Sequence, residues 1–246
     1  MIVTYDGTRI SANLLSFVPI GVIGGRPITV WRVAEPTATI NRRYSMTRRA
    51  WGVLALVVAL AVPASAGRFN KKLSIGDAAP KFSGLPGVDG KTYSLGDFKA
   101  KEVLVLVVTC NHCPVATAYQ DRLIAFAKKY AAGPDSKAAL VAVNVNQLEA
   151  EKLPKMKERA NEKGYNFPYL RDESQAIARA LGASVTPEFF VLNKERKIVY
   201  MGAMDDDLDD PKTDYVSAAV EAALKGAKVS TAETRPRGCS VKYAGE

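Results

Sequence analysis

Histidine occurs once in these 246 residues and cysteine three times, and there is no internal repeat or low-complexity tract. A four-ligand structural zinc site therefore has only one possible donor set, a single CxxC completed by His112 and Cys239. Glycine (18) and proline (13) are too few for a collagen-like or disordered chain in which 48% of residues are apolar. No apolar run reaches the roughly 20 residues that a membrane-spanning helix needs. Basic charge is in excess, at a formal +9, but it is unevenly placed. The first 66 residues hold seven Arg and no Lys against Asp6 and Glu35, leaving 27 basic and 23 acidic residues for the remainder. These are scattered rather than gathered in a stripe, which argues against a nucleic-acid partner.

Residues 46–66 read as a secretory signal peptide. Met46-Thr47-Arg48-Arg49 is a short basic segment, 51–62 is an uncharged apolar run, and Ala64-Ser65-Ala66 is a small-x-small cleavage site. The run ends at Pro63 and is short for a span, so cleavage is expected, with membrane attachment only if the signal is kept. The expected location is the periplasm or another exported compartment. Because a signal peptide acts from an N-terminus, translation is expected to start at Met46, leaving 1–45 as a non-native upstream extension. Residues 67–246 are then long enough for one domain with a proper core.

Periodicity in this domain predicts alternating strands and helices. The runs 103–108 (VLVLVV) and 139–145 (ALVAVNV) suit strands buried on both faces. Between them Val115, Tyr119, Leu123, Phe126 and Tyr130 recur at helical spacing, with Gly133-Pro134 as the stop. Helices are also expected over 153–163, closing at Gly164; over 172–181, with Gln175 as capping partner and Gly182 as stop; and over 215–225, closing at Gly226. Residues 188–192 and 197–201 read as a hairpin across the polar turn 193–196. The sum is an α/β sandwich with parallel strands at its centre and an antiparallel hairpin at one side.

The chemistry concentrates at Cys110-Asn111-His112-Cys113, where the first buried strand meets the first amphipathic helix. A thiol there is expected to be exposed at a helix N-terminus, which stabilises a thiolate. Two thiols at this spacing can close a disulfide: one attacks a substrate disulfide and the second resolves the mixed species. Cys110 is the expected nucleophile, with a lowered pKa, and Cys113 the resolving thiol. His112 can tune the thiolate by charge or hydrogen bonding; the other reading makes it a solvated spacer. No metal or nucleotide cofactor is expected, only the Cys110–Cys113 disulfide itself.

The segment Thr109-Cys110-Asn111-His112-Cys113-Pro114 resembles the active-site stretch of the thioredoxin-like superfamily, and within it the exported redoxin or peroxiredoxin-like proteins. The resemblance extends over 75–82 (IGDAAPKF), 87–95 (GVDGKTYSL), 167–172 (FPYLRD), 185–190 (VTPEFF), 202–206 (GAMDD) and 237–242 (RGCSVK). It implies a thioredoxin-like α/β/α sandwich with a central mixed sheet. It also implies thiol-disulfide oxidoreductase activity on protein thiols and disulfides, with a redox partner protein. Thr186-Pro187 matches the place where such folds hold a cis-proline against the dithiol. A cis bond there fixes a bend and frees the backbone of the preceding residue to pair with an extended substrate.

Three further readings stand beside this. A peroxiredoxin-like thiol peroxidase would have peroxide as substrate, but such enzymes resemble Pro-x-x-x-Thr-x-x-Cys around the reactive residue. Here Val107 and Val103 precede Cys110, and Cys110 and Leu106 precede Cys113, at those positions. A soft-metal module would gather Cys110, Cys113, His112 and Cys239 around Cu(I). Cys239 is either an idle thiol or a further resolving residue on a flexible tail, 227–246. The acidic run 205–210 lacks the pattern of a calcium loop and is expected to be solvated charge before the last helix. N-terminal sequencing of the precursor and of the exported protein is expected to find Met46 and Gly67; a precursor beginning at Met1 overturns the reading of 1–45.

Overall fold

A computed structural model of the chain describes residues 67–245 and, upstream, only a two-residue pairing in which β1 (Val22–Ile23) runs antiparallel to β2 (Arg26–Pro27). That pairing belongs to a separate unit, 1–61. The expected signal peptide, and the rest of the expected extension, lie outside the described residues. Among the described residues no helix is long and apolar enough to cross a membrane.

In the 62–246 unit a short hairpin of β3 (Leu85–Pro86) and β4 (Thr92–Tyr93) precedes β5 (Val103–Thr109). The chain continues through α1 (Pro114–Ala118), α2 (Gln120–Tyr130), β6 (Ala138–Asn144), α3 (Leu153–Lys163), β7 (Tyr169–Arg171) and α4 (Ala176–Leu181). Then come β8 (Val185–Thr186), β9 (Glu188–Leu192), β10 (Ile198–Gly202), α5 (Tyr215–Leu224) and β11 (Cys239–Ser240). The main sheet has the order β10-β9-β5-β6-β7. β5, β6 and β7 are parallel, while β9 is antiparallel to both β5 and β10, so the sheet is mixed as expected.

β5 is apolar without alternation because both of its faces are covered. Val103, Val105 and Val107 face one core with Leu123, Phe126, Met156, Val216 and Val220, from α2, α3 and α5. Leu104, Leu106 and Val108 face the other with Ile177 and Leu181 of α4 and with Phe82 and Phe98. Helices on both faces of a central mixed sheet make the thioredoxin-like sandwich. Each fully buried Val, Leu or Phe contributes about 1.5–3 kcal/mol relative to exposure.

One helix keeps the boundaries read from the sequence and two others differ from it. α3 spans 153–163 as expected, and Gly164 closes it at φ +68, where a side chain would be strained. The helix expected from 172 begins only at Ala176: Asp172 instead accepts the Ile177 N–H at 2.9 Å, and the Gln175 amide caps the carbonyls of Val145 and Lys242 rather than the helix. The single helix expected after Pro114 is broken at Tyr119, whose hydroxyl donates to the buried Asp205 beside Arg122 Nη1 at 2.6 Å. The acidic run is therefore not all solvated charge. Asp205 is 3% exposed, Asp206 accepts backbone N–H groups of Lys212 and Thr213, and the cap of α5 is Asp214, which accepts from Ser217 N at 2.8 Å.

The stretch expected to be a flexible tail is laid along the domain. Thr234 N donates to Met201 O, the Thr234 hydroxyl meets the Tyr200 hydroxyl at 2.7 Å, and β11 pairs antiparallel with β8. Val229 and Val241 are buried, so apolar contact as well as pairing holds the segment. Phe190, fully buried in the α4-side core, is expected to cost about 3–5 kcal/mol when changed to Ala, measured by urea unfolding.

Candidate functional site

Thr109 ends β5 and Pro114 opens α1, so Cys110 to Cys113 form the connection between them. Cys113 is the N-cap of α1 and Pro114 occupies its first turn, where a missing N–H costs nothing. Because the helix stops after five residues at the Tyr119 break, named hydrogen-bond donors rather than a long helix surround the sulfurs. Cys110 is 3% exposed and Cys113 5%. The exposed nucleophile expected at position 110 is thus a covered one.

Opposite these sulfurs lies the cis peptide bond between Thr186 and Pro187. The Thr186 hydroxyl is 3.2 Å from Cys110 Sγ, and the Thr186 carbonyl accepts from Cys113 Sγ at 3.1 Å. Cys113 N also points to Cys110 Sγ at 3.4 Å. In β11, Cys239 pairs with Thr186, which brings its Sγ to 2.6 Å from Cys113 Sγ. All three cysteines are free thiols. Cys113 Sγ thus meets both the Thr186 carbonyl and the Cys239 sulfur.

These surroundings separate the three thiols. Burial pushes the Cys110 thiol up, and the Thr186 hydroxyl and the Cys113 N–H offset only part of this. Burial acts on Cys113 too, but hydrogen bonds from Cys239 and from backbone N–H groups of α1 outweigh it and hold this thiol below its ordinary value. Cys239 is pushed up to about 11, chiefly by its hydrogen bond to Cys113. The lowered pKa expected of Cys110 is therefore found on Cys113, because Cys113 has the third sulfur as donor.

His112, expected as a tuner of the thiolate or as a solvated spacer, meets Glu151. Its ring is 60% exposed and Nδ1 lies 3.3 Å from Glu151 Oε1. Glu151, whose side chain is fully buried, is the group that sequence reasoning missed. Its carboxylate accepts Asn111 N at 2.7 Å, His112 N at 3.1 Å and Asn144 Nδ2 at 2.7 Å, taking up backbone donors of the CxxC turn. The Tyr169 hydroxyl donates to Asn111 Oδ1 at 2.9 Å and accepts from Asn144 Nδ2 at 3.0 Å, fixing the side chain next to Cys110. Asn144, at the end of β6, carried a faint signal as a strand-end polar residue. Glu151 carried none, since it is one of three glutamates in a short stretch at 149, 151 and 158.

Three sulfurs around one cis X-Pro bond can make and exchange disulfides. Among the described residues there is no group of three or more His, Cys, Asp or Glu side chains arranged to hold a metal ion. The Redoxin family pattern matches residues 74–217, from the entry segment into α5. The chain belongs to the Redoxin family. Among curated relatives of this redoxin, a Mycobacterium tuberculosis protein provisionally named a peroxiredoxin is 28% identical over 144 residues, covering 52% of this chain and 83% of its own. The thiol-disulfide oxidoreductase ResA of Geobacillus thermodenitrificans is 25% identical over 165 residues, covering 65% and 87%. Among solved structures, a hypothetical protein from Sinorhizobium meliloti 1021 matches with TM-score 0.66 at 34% identity, covering 72% of this chain and 98% of that one. An uncharacterized conserved protein from Geobacillus kaustophilus matches with TM-score 0.65 at 34% identity, covering 72% and 96%.

Glu151→Gln keeps the size of the side chain but offers one acceptor oxygen in place of two, leaving a buried N–H of the CxxC turn facing an amide NH₂. The expected loss is about 1–3 kcal/mol in urea unfolding. An unchanged midpoint would show that the carboxylate does not hold the turn.

Proposed function

We propose that this redoxin is an exported thiol-disulfide oxidoreductase that cycles Cys110 and Cys113 between dithiol and disulfide. The observation that carries the reading is the engagement of both CxxC sulfurs by Thr186, through its hydroxyl and its carbonyl, beside the cis bond to Pro187. In this cycle Cys110 attacks a disulfide of a protein substrate. Two donors, the Thr186 hydroxyl and the Cys113 N–H, are in place for the thiolate as soon as burial is relieved. Cys113 then attacks the mixed disulfide and releases the second substrate thiol, so the substrate gains the two electrons that the CxxC pair loses. A redox partner protein returns the pair to the dithiol. The cofactor is the disulfide itself, and the signal-like segment 46–66 supports export. The ResA relative belongs to the same reaction class by name.

A second reading, peroxide reduction, is favoured by one contact. The hydroxyl absent from the positions before Cys110 is supplied across the site by Thr186, 3.2 Å from its sulfur. The Mycobacterium relative's name points the same way.

The two readings separate in one set of assays. Reduction of insulin disulfides by the dithiothreitol-driven protein is expected to fall to background in Cys110→Ser, with the mixed disulfide accumulating in Cys113→Ser. Peroxide consumption is expected to be slow in every variant. Alkylation of the resting reduced protein across pH is expected to give a midpoint above the ordinary thiol value for Cys110 and below it for Cys113. Rapid peroxide turnover with no insulin reduction would replace the first reading by the second.

A further inference from the structure

The tail strand β11 takes the position that the proposed reading gives to an extended substrate. It lies antiparallel on β8 with Cys239 opposite Thr186 and Ser240 opposite Val185, the edge beside the cis-proline. The approach is close: a Cβ at Gly238 would overlap the Thr186 carbonyl, so glycine is needed for the chain to pass there. The pairing runs on beyond β8, where Val241 N donates to Ser184 O at 3.0 Å, and Lys242 N donates to Asn146 Oδ1 at 3.2 Å. Into this edge it delivers a cysteine whose sulfur touches that of Cys113 at 2.6 Å, although the residue as a whole is exposed.

We propose that β11 is an internal substrate strand and that Cys239 is a third redox residue, which receives the disulfide from the CxxC pair as a Cys113–Cys239 bond. The proposal rests on the thiol-disulfide reading above, which supplies the Cys110–Cys113 disulfide. Cys239 loses its proton and its sulfur attacks Cys113 Sγ. The Cys113–Cys239 bond forms, the Cys110–Cys113 bond breaks, and the electron pair leaves on Cys110, which takes up the proton. No net electrons are exchanged in this step. The oxidised pair now ends at an exposed residue instead of a buried one. The dithiol of a reductant protein can attack Cys239, become a disulfide itself and leave all three cysteines reduced. Substrate and β11 compete for one edge, so the strand must lift for the first half of the cycle and return for the second.

The test uses the chain with oxidised glutathione as the probe, followed by acid quench, alkylation of free thiols and mass spectrometry of the disulfide-linked peptides. Cys110→Ser is expected to yield an intramolecular Cys113–Cys239 disulfide. Wild type is expected to show this bond together with Cys110–Cys113, and Cys239→Ser only the latter. Gly238→Ala, which keeps all three thiols but forces the strand away from Thr186, is expected to lose the Cys113–Cys239 bond and keep Cys110–Cys113. If Cys110→Ser stays reduced or glutathionylated while wild type forms Cys110–Cys113, the third-cysteine proposal is overturned and the oxidoreductase reading stands. If wild type forms only Cys113–Cys239 and reduces no insulin, the oxidoreductase reading fails and with it the transfer step, the bond being then a structural clasp.

Discussion

Thr186 is the residue on which the site turns. Its side chain and its carbonyl face different sulfurs, and its backbone edge carries the tail strand. Because the residue is fully buried, its polar groups need partners inside the fold, and the cysteines provide two of them. Its place is set by the neighbouring strand: β9 starts directly after Pro187, and Glu188 turns back to accept the Ser184 and Val185 N–H groups. The CxxC turn is thus positioned from the β5 side by the sheet and from the opposite side by a loop that the sheet also anchors.

Below the turn lies the buried Glu151 carboxylate. It satisfies Asn111 and His112 backbone donors directly, so the turn keeps its shape although α1 ends after five residues. A buried charge with three hydrogen-bond donors avoids the large cost of an unpaired one. The His112 imidazole lies against the same carboxylate, with Nδ1 3.3 Å from Oε1.

The legible parts of this fold were those specified within a single segment. β5 and β6 were visible because double burial demands an uninterrupted apolar run, and α3 because Pro154 and Gly164 punctuate both of its ends. Within the candidate site, the CxxC could be read by type and spacing, and Thr186-Pro187 through the resemblance to thioredoxin-like folds. What could not be read depended on distant partners. β8 and β11 are two residues each and exist only through their mutual pairing, and the break at Tyr119 is tied to Asp205, 86 residues away. The order of thiol acidities escaped for the same reason, since the donor that lowers Cys113 comes from residue 239.

The separation of 126 residues between Cys113 and Cys239 bears on biogenesis. Strand β5 and the CxxC turn leave the ribosome long before their last neighbour is made. Until then the nascent dithiol has no strand across its Thr186 edge, and it can react with whatever thiols or disulfides the compartment offers. Only when position 239 has emerged does the chain acquire the strand that pairs with that edge, so this neighbour of the dithiol joins after the segments that form the core have been made.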